Sequence, residues 1–436
     1  MTATTTADET PESTGVPWRS PAVQIVLLST ALAPLGVPLV SPALPVIRDT
    51  FGVTDATASL LISSYFVAGI VLSPFIGALA DRLGRKRVLV WSLAAFGLTG
   101  GAAAFAPTFE AVLALRAIGG VASAGIFIST ITLIGDVFDG VQRNAVLGAN
   151  NAVLSAGAAA FPILGGALVA VAWNVPFLAY FAAVPLAAAA FALLDEPERD
   201  GAEVRIDLAY LRGAARAVAE PAVLTMYAAT FAVEFLLFGA VLTVLPFLLE
   251  AEYALAPVLI GVVITTAEAS SIAVSMINGR LARRFSNGGL VAAGFACYGV
   301  GFLGAWLAPS PLAVSLAMLP VGAGVGLVLP CVDAEVSDAV SGTYRAGALS
   351  LRNSTTFLGR SAGPVAFAGL AATTGYPALL LATGVASFAC AVGLAFATRG
   401  GVADGASEVD QAVVDGIPAI GQTAAVDEAV AVEEGH

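Results

Sequence analysis

Five charged side chains interrupt stretches that are otherwise apolar: Arg116, Glu234, Glu268, Arg352 and Arg360. A charge inside a bilayer costs about 2.5–3.5 kcal/mol on insertion scales, so such residues face one another or a cavity. Two acids among three arginines can carry a proton or hold helices together. A carboxylate in a poorly hydrated cavity has its charged form disfavoured, whereas a neighbouring guanidinium favours it. Glu234 or Glu268 is therefore the candidate carrier of a coupling proton, with Arg360 as neighbour. The alternative is a static ion pair. Glu234, Glu268 and Arg360 fall near the middle of their stretches, and Arg116 and Arg352 nearer to opposite ends. Asn150, Asn151 and Asn353 can line a cavity or join helices.

Other chemistry is poorly provided for. The only histidine is His436, and Cys297, Cys331 and Cys390 are spaced for neither a metal site nor a disulfide framework. No nucleophile–base pair or phosphate-binding loop appears. The expectation is a protein that is no enzyme, holds no metal or cofactor and binds no nucleic acid.

The elements that must position these charges are long and apolar. The 436 residues are 58% hydrophobic and 11% charged, against about 25% charged in soluble domains. Apolar stretches fall at 22–46, 57–80, 88–106, 109–135, 143–170, 173–194, 222–249, 256–279, 290–308, 311–333, 346–372 and 377–397. Each is long enough to cross a hydrocarbon core of about 30 Å. The fold class expected is an all-α membrane protein of twelve transmembrane helices in two pseudo-symmetric six-helix bundles. Its parts are an N-terminal segment (1–21), a bundle (22–194), a central loop (195–221), a second bundle (222–397) and an acidic, disordered tail (398–436). No secretory signal peptide is evident.

An even number of spans puts both termini on one side. Of 19 Lys and Arg, 15 lie in the termini and loops of that side, one (Arg48) lies in the opposite loops, and three lie inside spans. The positive-inside rule makes that side cytoplasmic, in a multi-pass protein of the cell membrane. Net charge is −12 and lysine is nearly absent, as in salt-adapted or GC-rich organisms.

One offset, 202 residues, aligns rare residues in the two halves: Gly77 with Gly279, Arg82 with Arg284, Asp136 with Asp338, Arg143 with Arg345, Gly157 with Gly359, and Pro162 with Pro364. Two parallel repeats of six spans are a known transporter architecture. The first member of the pair is the loop GALADRLGRKRV, Gly77 to Val88, where Gly77 and Gly84 permit close helix approach and a tight turn. Its counterpart, GRLARRFSNGGL from Gly279, has Arg283 in place of Asp81.

On these residues the chain resembles the major facilitator superfamily over about residues 22–397. The loop Gly77-Ala-Leu-Ala-Asp81-Arg82-Leu-Gly84-Arg85-Lys86-Arg87 matches that family's signature between spans 2 and 3. Arg116-Ala-Ile-Gly-Gly120 is similar to its span 4 signature, with Gly119 where a polar residue is usual. Gly157-Ala-Ala-Ala-Phe161-Pro162-Ile-Leu-Gly165-Gly166 resembles the span 5 antiporter signature, with Phe161 replacing the usual Gly. Pro42-Ala-Leu-Pro45 resembles drug:proton antiporters, although span 1 has no acid.

The resemblance implies that Asp81 faces the start of span 11, near Ala346, in a cytoplasmic latch that also involves Arg82, Arg85, Asp136 and Arg143. It implies that Arg116, Gly157, Pro162, Gly165 and Gly166, with Gly359, Gly363 and Pro364 in span 11, pack helices. The expected activity is proton-coupled efflux of small organic or amphipathic compounds by alternating access, driven by the proton gradient, in a monomer whose partners are substrate and lipid. The alternatives are import of an organic anion on Arg352 and Arg360, and a non-transporting sensor or scaffold.

Overall fold

Proline and short polar punctuation shape the chain from its first helix. Ser20 caps Pro21–Leu32 by accepting a hydrogen bond from the Val23 amide at 3.3 Å. The helix fails in the sequence Pro34-Leu-Gly-Val-Pro38, and a short helix, Leu44–Phe51, completes the span. Proline removes an amide donor and clashes with the preceding turn, so the carbonyls beneath it lose their helical partners.

A computed structural model describes residues 16–196, 219–340 and 342–415. After the broken first span come Asp55–Leu83, Arg85–Phe105, Phe109–Val137, Gly140–Val169 and Val175–Leu193. The second half follows as Pro221–Tyr253, Pro257–Leu281, Asn287–Trp306, Pro311–Ala339, Gly342–Thr374 and Tyr376–Asp415. These twelve helical rods, numbered here spans 1–12, coincide with the twelve apolar stretches, and no strand occurs among the described residues. Among the described residues, nine are long and apolar enough to cross a membrane. Span 1 falls short because it is broken, and spans 2 and 11 contain residues outside the described side chains. Most of the central loop, 197–218, also lies outside the described residues.

The expected tail needs correction. The last helix continues through Asp415, well past residue 397. Residues 398–415 contain no proline, the strongest helix breaker, so the helix runs on despite Gly400, Gly401 and Gly405.

The turns between spans are short and capped. Thr54, Thr108, Ser286 and Ser310 each accept a hydrogen bond from the amide three residues on, at 3.2–3.3 Å. Such caps satisfy amides that the first helical turn leaves open.

The 202-residue repeat is also a repeat of backbone geometry. Span 1 ends at Gly52 and span 7 at Ala254, 202 positions apart, and both are left-handed, with φ 63° and 49°. A Cβ at Gly120 of span 4 would meet the Tyr65 backbone of span 2; one at Gly322 of span 10 would meet the Ala267 backbone of span 8. All four residues obey the same offset. The break in span 1, at 36–40, corresponds to Leu237–Val244 of span 7, which is wound as a π-helix. Both halves thus interrupt regular helix at one level. Such interruptions mark binding regions in transporters.

Candidate functional site

Span 7 carries Glu234 immediately before its π-helical segment, and span 11 brings Arg360 against it. Arg360 Nε donates to Glu234 Oε2 and Nη2 donates to Oε1, each at 2.9 Å. This fork-on-fork geometry is the strongest way to hold a carboxylate on arginine. Glu234 is 1% exposed and Arg360 31%, so the acid is sealed and the base forms the accessible side of the pair. The guanidinium lies 5.0 Å from the Phe238 ring and 5.8 Å from the Phe66 ring, which belongs to span 2. Rings from both halves therefore bracket this one cation.

Gly359 makes the approach possible. A Cβ there would stand 3.0 Å from Glu234 Cβ and 2.8 Å from the Phe231 carbonyl oxygen. Gly363 lies against the Phe235 carbonyl in the same way, with Pro364 next in the helix.

Glu268 of span 8 feels the charges of both Glu234 and Arg360. It is half-buried and makes no hydrogen bond or ion pair among the described residues. Tyr298 of span 9 feels both acids, and its hydroxyl donates to the Val233 carbonyl at 3.4 Å. Sequence reasoning did not single out Tyr298, because one tyrosine in an apolar stretch reads as core.

Arg116 has a different environment. It is 3% exposed and makes no ion pair among the described residues. Its Nε donates to the Leu61 carbonyl at 2.9 Å, Nη1 to the Tyr180 hydroxyl at 2.9 Å and Nη2 to the Gly36 carbonyl at 2.5 Å, while Tyr65 lies 4.7 Å beneath it. Tyr180 in turn donates to the Leu35 carbonyl at 2.5 Å. The break in span 1 exposes the Leu35 and Gly36 carbonyls, and Arg116 with Tyr180 satisfies them. Spans 1, 2, 4 and 6 are tied together through backbone oxygens.

Arg352 faces Asp333 of span 10, with Nη2 donating to Oδ2 at 3.1 Å and Nη1 to Asn353 Oδ1 at 3.2 Å. Asp333 was not foreseen, since it ends its apolar stretch and reads as interfacial. Asn150 is buried and accepts from Thr30 Oγ1 at 2.6 Å, joining spans 5 and 1, whereas Asn151 is exposed.

On the face that carries the basic loops, Gly84 has φ 107°, which lets span 2 end and span 3 begin at one residue. Glu196 lies against it and accepts from the Lys86 amide at 3.4 Å. Arg85 pairs with Asp136 at the end of span 4. Arg82 has a partner in the structure, and Arg143 is exposed. The Arg85–Asp136 pair lies within the first half. The Gly77 and Asp81 side chains lie outside the described ones, and with them the expected contact to span 11.

The opposite face carries a cluster that sequence reading missed. Arg48 donates to Asp49 at 2.8 Å, to Asp55 at 3.0 Å and to Glu250 at 3.2 Å, and the Tyr376 hydroxyl donates to Asp55. Asp49, with burial opposing it and Asp55 adding to it, holds the Arg48 guanidinium above its ordinary range, so it is always a cation. Arg48 and Glu250 are themselves 202 apart. In a pseudo-two-fold molecule, equivalent residues meet only on the axis, so this pair marks it.

Nearby, Ser41 Oγ of span 1 donates to the Leu242 carbonyl in the π-helical segment at 2.5 Å. Deeper, Ser63 Oγ donates to the Ser361 carbonyl and Thr265 Oγ1 to the Ala159 carbonyl, both at 2.7 Å. Spans 5 and 8 touch through reciprocal glycines: a Cβ at Gly166 would run into the Pro257 backbone, and one at Gly261 into the Pro162 backbone. Gly165 lies against the Leu39 carbonyl and Gly157 against the Pro34 ring. Every contact between the halves named here lies between this face and the middle of the spans.

The sequence model of the Major Facilitator Superfamily matches residues 26–287 and 226–417. The bacillibactin exporter of Bacillus subtilis (strain 168) is 29% identical over 350 residues, 77% of this chain and 86% of that protein. The quinolone resistance protein NorA of Staphylococcus aureus (strain MRSA252) is 34% identical over 149 residues, 34% of this chain and 38% of that protein. A bacterial homologue of the human lysosomal transporter Spinster has a similar fold, with TM-score 0.74 and 17% identity over 88% of this chain and 98% of that one. The human organic anion transporter MFSD10 (TETRAN) gives 0.64 and 20% over 87% of this chain and all of that one, 100%. With matches that run through both repeats and a shared fold, the chain belongs to the Major Facilitator Superfamily and is a membrane transporter, not an enzyme.

Proposed function

We propose that the chain exports small amphipathic organic compounds from the cytoplasm in exchange for protons, by rocking its two halves against each other. One observation carries this reading: Arg360 engages both oxygens of Glu234, which leaves Glu268 as the neighbouring acid without a fixed partner. A carboxylate beside a filled ion pair can gain and lose a proton without dismantling that pair. Glu268 is the coupling acid in this proposal, and Glu234–Arg360 sets the charge it experiences. The similarity to the bacillibactin exporter agrees with outward transport, and the basic face supports cytoplasmic termini. Alternating access requires the Arg48 cluster to break when the outer side opens.

Import of an organic anion on Arg352 and Arg360 is weaker, because an anion alone would strand the carboxylate that each arginine already faces. The test is reconstitution into liposomes loaded with a pH indicator, with substrate gradients imposed across a panel of drugs, amino acids and organic acids. The wild type moves protons against substrate. Glu268→Gln still exchanges substrate downhill but moves no protons. Normal proton coupling in Glu268→Gln would overturn the reading.

A further inference from the structure

We infer that the cleft between spans 10 and 11 binds a compact amphipathic zwitterion, its ammonium on Asp333 and its carboxylate on Arg352. The cleft measures about 520 Å³ and is lined by Asp333, Ala334, Ser337, Leu349, Arg352 and Asn353. That size is within the usual range for small-molecule sites. The inference takes only its loading side from the export reading.

The two arginine–carboxylate pairs of the second half differ in a way that assigns their roles. Arg360 presents Nε and Nη2 to Glu234 as a matched fork, and Glu234 is sealed. Arg352 is mismatched. Its Nε lies 2.9 Å from Asp333 Oδ1, an ion-pair contact without hydrogen-bond geometry. Only Nη2 bonds Asp333, while Nη1 is turned to Asn353. Half of the Asp333 side chain is exposed.

An ion pair held by one well-formed hydrogen bond, beside a half-exposed acid, is an incomplete pair. A ligand carboxylate aligned on Nε and Nη2 supplies the fork that Asp333 does not. The displaced Asp333 then needs a cation, and a ligand ammonium provides it. Ala334 and Leu349 offer the apolar remainder of the ligand a surface. A ligand with one charge completes one half and strands the other, which is the costly outcome for a partly buried ion.

Tryptophan, tryptophan methyl ester and N-acetyltryptophan share one skeleton and differ in charge: zwitterion, cation and anion. Their binding to the purified full chain in nanodiscs, without any gradient, tests the inference. The wild type should prefer the zwitterion by at least about tenfold over each relative, the order of one hydrogen bond to a charged group. Asp333→Asn should erase the preference over N-acetyltryptophan, and Arg352→Gln the preference over the ester. The charge-exchanged double variant, Asp333→Arg with Arg352→Asp, should keep the zwitterion preference and so separates recognition from loss of fold. Equal binding of the three probes, no binding, or an unchanged order in both single variants overturns the inference. Because no proton gradient is involved, a failure of Glu268 coupling leaves this result standing, and the reverse also holds.

Discussion

Glu234 is held by two hydrogen bonds from one guanidinium and almost no water, so it tolerates replacement poorly on its own. Glu234→Gln leaves the Arg360 charge without its counterion. Breaking one side of a buried pair costs about 3–5 kcal/mol, whereas replacing both partners is close to neutral. The melting temperature in detergent should fall for Glu234→Gln and largely recover in Glu234→Gln with Arg360→Met. Equal melting of the single and double variants would mean that the pair holds nothing. Gly359→Val drives a side chain into Glu234 Cβ and the Phe231 carbonyl. It should abolish substrate exchange in liposomes while the protein still inserts. Much of this was legible in the sequence, because a charge in an apolar stretch stands out. The pairing was not legible, since helix rotation decides whether Arg360 meets Glu234 or Glu268. Asp333 stayed hidden for the opposite reason: at the end of a span, an acid draws no notice.

Spans 1 and 7 show how a repeat survives the loss of its residues. Gly52 suits its left-handed φ, but Ala254 holds the same conformation with a Cβ, at a cost of about 1 kcal/mol or slightly more. Ala254→Gly should therefore stabilise the protein by about 1 kcal/mol, read as a raised melting temperature. The break in span 1 is more demanding. Tyr180→Phe strips the Leu35 carbonyl of its donor and removes a partner from Arg116. A buried unsatisfied group costs about 1–3 kcal/mol, and the melting temperature should drop accordingly. An unchanged value would show that water replaces the hydroxyl. Span existence followed from hydropathy alone. The extent of the last helix did not, because an acidic segment with Gly400, Gly401 and Gly405 carries no helix signal of its own. The π-helical winding of span 7 had no sequence signal of its own, although Pro34 and Pro38 announced its counterpart.

The two halves meet through the Arg48 cluster at one face and through backbone contacts deeper in. Arg48→Glu places its new carboxylate among Asp49, Asp55 and Glu250, and like charges at that range repel. Spin labels at Thr50 and Ala251 should move apart in pulsed dipolar measurements, and adding Glu250→Arg should bring them back. If the labels stay at the wild-type distance in Arg48→Glu, the cluster does not close this face. The duplicated six-plus-six layout was readable from the aligned glycines, prolines and charges. The cluster was missed because the offset was applied to matching residues only. Asking which opposite charges are 202 apart points directly to Arg48 and Glu250.

That spacing has a historical consequence. In a dimer of two identical six-helix chains, a residue on the two-fold axis would meet its own copy. Arginine would face arginine, or glutamate would face glutamate. A cation and an acid can share that axis only after the two copies become one gene product and diverge. The Arg48–Glu250 contact is therefore an asymmetry that no homodimeric ancestor possessed, placed at the point where fusion first made it possible.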